Sequence, residues 1–271
     1  MIANTKYKDT VFTTLFNNPD LLRELYCALE GITLPPDTPI SINTLERALL
    51  MGMYNDISFT IGGKLVVLIE HQSTISPNMP LRLLMYLSAI YQKMTKEKDI
   101  YSEKPLSIPR PKFFVLYNGH APYPDNVVLR LSKLYEDTED LGIPKEEYSS
   151  TDLEVRIINI NEGRNAEIVK RCSKLREYSA LVAKINEYKE ETGNLDIAIE
   201  KAIKYCHKYD ILKEYLEKYA SEVLNMLYTE FNIDVAKEVW QEEAREKAHE
   251  EVFELLAQDS QKKKSKKLSN I

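Results

Sequence analysis

The chain has 271 residues, of which 44% are hydrophobic and 29% charged, so it is not an intrinsically disordered chain and has enough residues to bury a sizeable core. The longest aliphatic runs, such as residues 65–69, are strand-sized and too short to span a bilayer, and the N-terminus lacks the apolar segment of a signal peptide. The three cysteines form no CxxC pair, which favours a reducing cytoplasm over a disulfide framework.

The formal net charge of −6 argues against a general nucleic-acid binder, but the charge is unevenly distributed. Residues 1–120 carry 12 basic and 11 acidic residues, whereas residues 121–271 carry 24 and 31. Residues 76–120 alone hold seven basic and three acidic residues. Two interpretations stay open for that segment: a local positive field that meets phosphate, or a solvated helix face and loop.

The first element in the chain is an amphipathic helix from Asp9 to Glu30, because its apolar residues recur at helical spacing. Asn18-Pro19-Asp20 either breaks this helix or restarts it, since a residue before proline disfavours the α conformation. Gly31 and three prolines soon after it end the helix.

Strands follow. Ile40–Leu50 is a candidate short strand. Asp56–Ile61 alternates polar and apolar residues, which predicts a half-buried strand. Gly62-Gly63 is a turn signal, and the aliphatic run Leu65–Ile69 predicts a strand buried on both faces.

A second helix then runs from Leu81 to about Lys96, opened by Pro77 and Pro80. A proline-rich loop, residues 105–111, leads to a strand at Lys112–Tyr117. A long polar connection separates this strand from another at Leu153–Ile160.

Beyond Gly163 the pattern changes to helical periodicity from Ala166 to Gln258, interrupted near Gly193-Asn194. The lysine-rich end has little to bury. We therefore predict an α/β core at residues 1–163, a helical region at 164–259 and a basic disordered tail at 260–271.

One constellation suggests chemistry. Asp56 opens one predicted strand, and Glu70-His71-Gln72 prolongs the next, where residues two apart share a face. A two-residue hairpin loop pairs Ile61 with Lys64 and turns Asp56 away from Glu70. A three-residue loop pairs Ile61 with Leu65 and Asp56 with Glu70. We favour the second register, because it gathers one face that is uniformly apolar, and three-residue loops with glycine are common.

Two carboxylates that converge from adjacent strands repel each other and need a cation between them. All-oxygen ligands favour Mg²⁺ or Mn²⁺, which lowers the pKa of a bound water. Gln72 can orient that water through its amide but supplies no positive charge. The alternative is that Asp56 caps a turn and Glu70 ends its strand in solvent. Against it, Glu70 prolongs a buried strand, where an unpaired carboxylate is costly.

The element order helix, three strands, helix, strand resembles the PD-(D/E)XK nuclease superfamily, with Asp on the second strand and Glu-x-Lys/Gln on the third. Five segments in order resemble more closely the Rpn family of recombination-promoting nucleases, also called PD-(D/E)XK nuclease family transposases. These segments are Asp9-x-x-Phe12-x-x-Leu15-Phe16, Asn55–Phe59, Leu68–Ser73, Met79–Tyr86 and Phe114–Gly119. The resemblance covers roughly residues 5–240.

The resemblance implies a bacterial, cytoplasmic, Mg²⁺-dependent DNA endonuclease that promotes recombination or is associated with mobile elements. Asp56 and Glu70 would hold the metal, and Gln72 would replace the superfamily lysine. Asp9 is either the first-helix acid of many relatives or an N-cap. Arg82 and Tyr86, one turn apart on the helix after the motif, touch phosphate, support Gln72, or have a plain structural role.

Two rival functions stay open. The chain is either a degenerate relative that binds nucleic acid without cutting it, since Gln72 is not lysine, or a non-enzymatic interaction protein that acts through its helical half. Homo-oligomerisation through the C-terminal helices is a further open point. His71 faces away from the acids in the favoured register and is expected to pack in the core. The sequence contains no GxxxxGK[ST], GxSxG or HExxH motif.

Overall fold

The computed structural model describes residues 7–43, 56–95, 100–142 and 150–217. The chain contains both helices and strands, and Thr5–Ala220 form one compact unit. In chain order the elements are α1 Tyr7–Phe16, α2 Pro19–Glu30, β1 Ile40–Ile42, β2 Ile57–Ile61, β3 Leu65–Gln72, α3 Met79–Met94, β4 Arg110–Tyr117, β5 Asn126–Arg130, β6 Glu154–Asn159, α4 Ala166–Arg171, α5 Ser173–Thr192 and α6 Leu195–Lys208. The predicted α/β class and the order of helix, three strands, helix and strand are confirmed.

The six strands form one mixed sheet in the order β1-β2-β3-β4-β6-β5. The first three strands are antiparallel neighbours, β4 runs parallel to β3 and to β6, and β5 returns antiparallel to β6. The parallel step from β3 to β4 requires a crossover, which α3 supplies. Helix α3 covers one face of the sheet with Met79, Leu83 and Tyr86, among others.

Asn18 divides the predicted first helix into two. Its side-chain oxygen accepts hydrogen bonds from the backbone N–H groups of Asp20 (2.9 Å) and Leu21 (3.2 Å), and Pro19 occupies the first helical position. This is the N-cap arrangement in which the missing N–H of proline costs nothing. The predicted single helix is therefore two helices, α1 and a second helix, α2, that begins at Pro19.

The predicted half-burial of the second strand is wrong, because all five residues of β2 are buried. Strand β1 pairs along β2, and the two hydroxyl side chains of β2 donate hydrogen bonds to backbone carbonyls of the segment that contains β1. Ser58 Oγ donates to Asn43 O (2.7 Å) and Thr60 Oγ1 donates to Ser41 O (3.4 Å). Hydroxyls can be buried at such positions because a backbone carbonyl oxygen accepts a hydrogen bond from them. Of the predicted strand at 40–50, the structure shows β1 at Ile40–Ile42, and residues 44–50 lie outside the described ranges.

The long polar connection before residue 153 contains a strand that sequence reasoning missed. In β5 only Val127 and Leu129 are turned to the core, while Asn126, Val128 and Arg130 are exposed. This is an edge strand in which burial alternates with period two. The sequence Asn-Val-Val-Leu-Arg does not itself alternate, and its three successive apolar residues were the available signal. Strand β4 also begins earlier than expected and includes Pro111, which is tolerated because β6 pairs with β4 only from Phe114 onward.

The predicted interruption near residue 193 is confirmed. Gly193 ends α5 with φ +64°, and the side chain of Asn194 accepts from Ile197 N (3.2 Å) to start α6. Residues 218–271, with the predicted tail, lie outside the described residues, so the division at 163 and the tail stay predictions. None of the helices described is long and apolar enough to cross a membrane.

The three cysteines should differ sharply in reactivity. Burial raises the pKa of Cys172 to about 12 and that of Cys206 to about 11, whereas Cys27 is half-buried. Because the thiolate is the nucleophile, we expect one of the three thiols to react quickly with a disulfide reagent at pH 8 in the folded protein. Cys27→Ser should remove that fast phase. Rapid modification of Cys172 or Cys206, located by mass spectrometry, would contradict this packing.

Candidate functional site

The hairpin between β2 and β3 has the predicted three-residue loop. Ile61 pairs with Leu65, Lys64 N donates to Ile61 O (3.0 Å), and Gly62 and Gly63 have φ of +58° and +65°. Glycine adopts this left-handed conformation without steric cost, so the two glycines permit the tight reversal. Continuing the pairing of Ile57 with Ile69 by one residue places Asp56 opposite Glu70.

Asp56 and Glu70 are in direct contact at the open end of the hairpin, opposite its loop. The backbone N–H of Asp56 donates to Glu70 Oε1 (3.3 Å), and Asp56 Oδ2 accepts from the backbone N–H of His71 (2.7 Å). The turn-capping alternative is not met, because the backbone N–H that Asp56 accepts, beside the start of β2, belongs to His71 on the neighbouring strand β3. Nor does Glu70 end its strand in solvent, because it is only 3% exposed.

A guanidinium from α3 lies against the buried carboxylate. Arg82 Nη2 is 3.2 Å from Glu70 Oε2, and the arginine side chain is 36% exposed. The apolar face of α3, with Met79, Leu83 and Tyr86, packs on the sheet and brings Arg82 to the position of Glu70. A buried carboxylate is costly without a partner, so this ion pair lowers the cost of burying Glu70.

The amide of Gln72 extends the same cluster. With its oxygen turned towards α3, Oε1 accepts from Arg82 Nη1 (3.1 Å) and Nε2 donates to Thr74 O (3.3 Å). In the opposite orientation Nε2 lies 2.8 Å from the sulfur of Met79 and Oε1 accepts from Ser76 N (3.4 Å). The first orientation is favoured, because a guanidinium only donates and a backbone carbonyl only accepts.

Tyr86 completes the cluster one helical turn beyond Arg82. Its hydroxyl accepts a hydrogen bond from Arg82 Nη2 (3.2 Å). Burial raises the pKa of the Tyr86 phenol, so it stays neutral, with the hydrogen bond from Arg82 opposing the shift. Burial lowers the pKa of Arg82, but the Tyr86 hydrogen bond and the charges of Glu70 and Asp56 outweigh it and raise that pKa. Arg82 is therefore a permanent cation within electrostatic reach of both acids.

His71 points to the opposite face of the sheet, as expected, and packs in the core. Its Nε2 is 2.9 Å from the hydroxyl of Tyr178 on α5, and its ring stacks on Phe12 of α1 with centroids 5.1 Å apart. All three side chains are buried. The strand segment that presents Glu70 and Gln72 on one face is thus held on the other face by two helices.

The residues that follow β4 contact the end of β3 that carries the site. Asn118 N donates to Gln72 O (2.9 Å). A Cβ on Gly119 would lie 2.0 Å from the carbonyl oxygen of Ser73, so only glycine fits there. In the sequence, Asn118-Gly119 indicates the end of a strand and belongs to a segment that resembles the family, and a glycine directly after the strand is the signal for this close approach.

The structure thus brings together Asp56, Glu70, Gln72, Arg82 and Tyr86. Tyr7 and Lys8, which precede Asp9, are already helical, so Asp9 is not an N-cap and that alternative is wrong. Its side chain lies outside the described set. Within the described ranges, no three His, Cys, Asp or Glu side chains are grouped to hold a metal.

The basic segment 76–120 divides in a way that the sequence alone did not show. Arg82 pairs with Glu70 and Lys112 pairs with Glu30 (3.1 Å), so these two cations are engaged in ion pairs. Residues 96–99, which hold two more, lie outside the described ranges. Both interpretations of this segment, a local positive field that meets phosphate and a solvated helix face and loop, stay predictions.

These features define the class of protein as a mixed α/β protein with an acidic pair, an arginine and a glutamine gathered at one end of a hairpin. The model of the family described as "Putative transposase, YhgA-like" matches residues 12–193, more than half of the chain. The chain belongs to this family, and the resemblance to the recombination-promoting nucleases and transposases is confirmed. The match runs from α1 to the end of α5 and so includes the whole sheet. Neither the curated proteins nor the solved structures yielded a match.

The fit at Gly119 leads to a testable prediction. Gly119→Ala forces the backbone carbonyl of Ser73 to move, which should lower the free energy of unfolding by about 1–3 kcal/mol, as for other overpacked positions. Urea denaturation measures this change. Ser73→Ala is the matched control, because it keeps the carbonyl and should leave the stability nearly unchanged. If both variants unfold at the wild-type urea concentration, the close approach of the two segments is wrong.

Proposed function

We propose that the protein is a Mg²⁺-dependent DNA endonuclease with its active site at Asp56, Glu70 and Gln72, acting in recombination or in connection with mobile elements. The observation that carries this proposal is the contact between Asp56 and the buried Glu70, with Gln72 and Arg82 beside them. Membership of a family of transposases makes DNA the expected substrate.

The fold supports assignment to the PD-(D/E)XK superfamily. Helices α1 and α2 precede three antiparallel strands, and α3 then leads to a strand parallel to the third. Asp56 adjoins the start of the second strand, and Glu70-His71-Gln72 ends the third. This is the order and placement that the resemblance predicted.

The residues present fit a hard divalent cation. Mg²⁺ in phosphoryl-transfer enzymes takes one or two carboxylates and completes its shell with water and substrate phosphate, so a third acid is not required. Asp56 and Glu70 supply the carboxylates, and the amide oxygen of Gln72 lies on the same strand two residues from Glu70. Bound Mg²⁺ supplies a Lewis acid and lowers the pKa of a coordinated water.

The protein's own groups provide orientation. The backbone N–H of His71 holds Asp56 Oδ2, and the N–H of Asp56 holds Glu70 Oε1, so both carboxylates are fixed by backbone donors. Gln72 hydrogen-bonds to backbone and to Arg82, so its amide is held in place beside them. Donors and acceptors held in advance lose little energy to reorganisation during the reaction.

A supercoiled-plasmid nicking assay with and without Mg²⁺ tests the proposal and separates it from its rivals. Metal-dependent nicking that Asp56→Asn abolishes supports the endonuclease. DNA binding with no cleavage at any Mg²⁺ concentration identifies the degenerate relative. If the chain neither binds nor cleaves DNA, the remaining rival is the non-enzymatic interaction protein. Its helical region should then bind a partner without the rest of the chain.

Amide substitution of the two acids should reduce cleavage without disrupting the fold. Asp56→Asn keeps an oxygen that can accept from His71 N, and Glu70→Gln keeps one for Arg82, so both variants should fold. Each should lose at least about a hundredfold in cleavage rate, because the amide cannot supply the negative charge that holds the metal.

Asp152→Asn is the matched control for these variants. Asp152 also accepts a backbone N–H, from Ser132 (3.0 Å), but it precedes β6, two strands away from β3. It should cut at the wild-type rate. If Asp56→Asn and Glu70→Gln both cleave at the wild-type rate, the active site does not lie at these two residues.

Gln72→Ala should slow cleavage by roughly a hundredfold while DNA affinity changes little, because an oriented hydrogen-bonding group acts mainly in the transition state. Single-turnover rates at saturating Mg²⁺ and DNA binding in Ca²⁺ measure the two quantities. Gln92→Ala, an exposed glutamine on α3, is the control. Equal rates for Gln72→Ala and wild type would leave Gln72 without a role, while the two-acid site would stand.

A further inference from the structure

We propose that Arg82 is the resident counter-ion of Glu70 and exchanges with the divalent cation, so that metal binding frees its guanidinium for a DNA phosphate. This inference rests on the proposed function, because it assumes that Glu70 binds the metal. In this proposal Arg82 supplies the positive charge that the neutral amide of Gln72 cannot supply.

The first step in the argument is burial. Glu70 is 3% exposed, and Arg82 Nη2 lies 3.2 Å from its Oε2. A buried carboxylate with a hydrogen-bonded cation beside it is strongly destabilised when that cation is removed. Oε1 already accepts from Asp56 N and Oε2 from Arg82 Nη2, so a divalent cation that binds Glu70 adds a second positive charge close to the guanidinium. The two cations repel each other at this short range, and metal binding at Glu70 therefore weakens the contact with Arg82.

The second step is where Arg82 can go. Its side chain is 36% exposed, so it already reaches the surface of the site. Gln72 Oε1 at 3.1 Å and Tyr86 Oη at 3.2 Å are neutral acceptors that can hold part of the guanidinium after Glu70 is released. A guanidinium has five N–H donors in a fork that matches phosphate, so the released groups suit a DNA backbone oxygen.

A second arginine in the chain provides a matched control. Arg156 pairs with Glu30 (2.7 Å), is 41% exposed, and lies over the ring of Phe114 at 5.4 Å. Arg82 likewise lies over the ring of Tyr86 at 5.9 Å. The two differ in that Glu30 belongs to α2 and has no part in the proposed metal site.

The test is Mn²⁺ binding by calorimetry on the full chain without DNA, for wild type, Arg82→Gln, Arg156→Gln and Glu70→Gln. Arg82→Gln removes the competing cation and should bind Mn²⁺ about tenfold more tightly than wild type, as expected for loss of one charge-assisted hydrogen bond. Arg156→Gln should match wild type, and Glu70→Gln should not bind. Cleavage by Arg82→Gln should fall although its metal affinity rises, which a merely structural role does not produce.

Arg82→Lys and a direct spectroscopic measurement keep the idea testable if Arg82→Gln fails to fold. Arg82→Lys retains a cation against Glu70 and should bind Mn²⁺ near the wild-type affinity. In wild type, the guanidinium NMR signal of Arg82 should shift when Mg²⁺ is added, while that of Arg156 stays in place.

The outcomes distinguish this inference from the proposed function. Equal or weaker Mn²⁺ binding by Arg82→Gln, with binding lost in Glu70→Gln, overturns the exchange and leaves the metal site intact. An Arg82 signal that is unchanged at saturating Mg²⁺ also overturns the exchange. Absence of Mn²⁺ binding in wild type and in every variant overturns both proposals.

Discussion

A carboxylate placed inside a sheet determines much of the geometry described above. Glu70 is buried on a central strand, where the loss of hydration of its charge is costly. The surrounding groups lower that cost: the backbone N–H of Asp56 donates to one oxygen, and Arg82 of α3 donates to the other. Because Arg82 is held there, it also orients Gln72 and Tyr86. One buried charge thus organises side chains from β3 and α3.

The hairpin loop makes this arrangement possible. Side chains alternate across a strand, so a shift of one residue in the pairing of β2 and β3 would carry Asp56 to the other face. The loop of Gly62, Gly63 and Lys64 gives the register in which Asp56 meets Glu70, and the left-handed conformations of the two glycines permit it. The backbone, rather than any attraction between two acids, holds them together.

Both faces of β3 contribute to the position of the site. On one face Val66 and Leu68 pack under α3, and on the other His71 meets Phe12 and Tyr178. Tyr178 belongs to α5, a helix that the sequence pattern assigned to a separate helical region. Its contact with His71, which lies between Glu70 and Gln72, shows that this helix supports the strand that carries the site. The family match, which extends to residue 193, is consistent with α5 as part of the same unit.

The sequence by itself determined the α/β class, the order of the main elements, the hairpin register and the positions of the two acids and the glutamine. These are local properties: periodicity, glycine and proline positions, and the alternation of strand side chains are written within a few residues of each other. The edge strand β5 was missed because its apolar run, Val127–Leu129, is three residues long, shorter than the runs of about four to eight residues that indicate a strand.

Only the tertiary structure decided how the acids are neutralised and what lies around them. The Glu70–Arg82 pair joins residues twelve positions apart through the packing of α3, and the His71–Tyr178 contact joins residues 107 positions apart. The fit of Gly119 against Ser73 likewise depends on two strands meeting side by side. The residue types were visible in the sequence, but these contacts depend on how helices dock on a sheet, which no local pattern specifies.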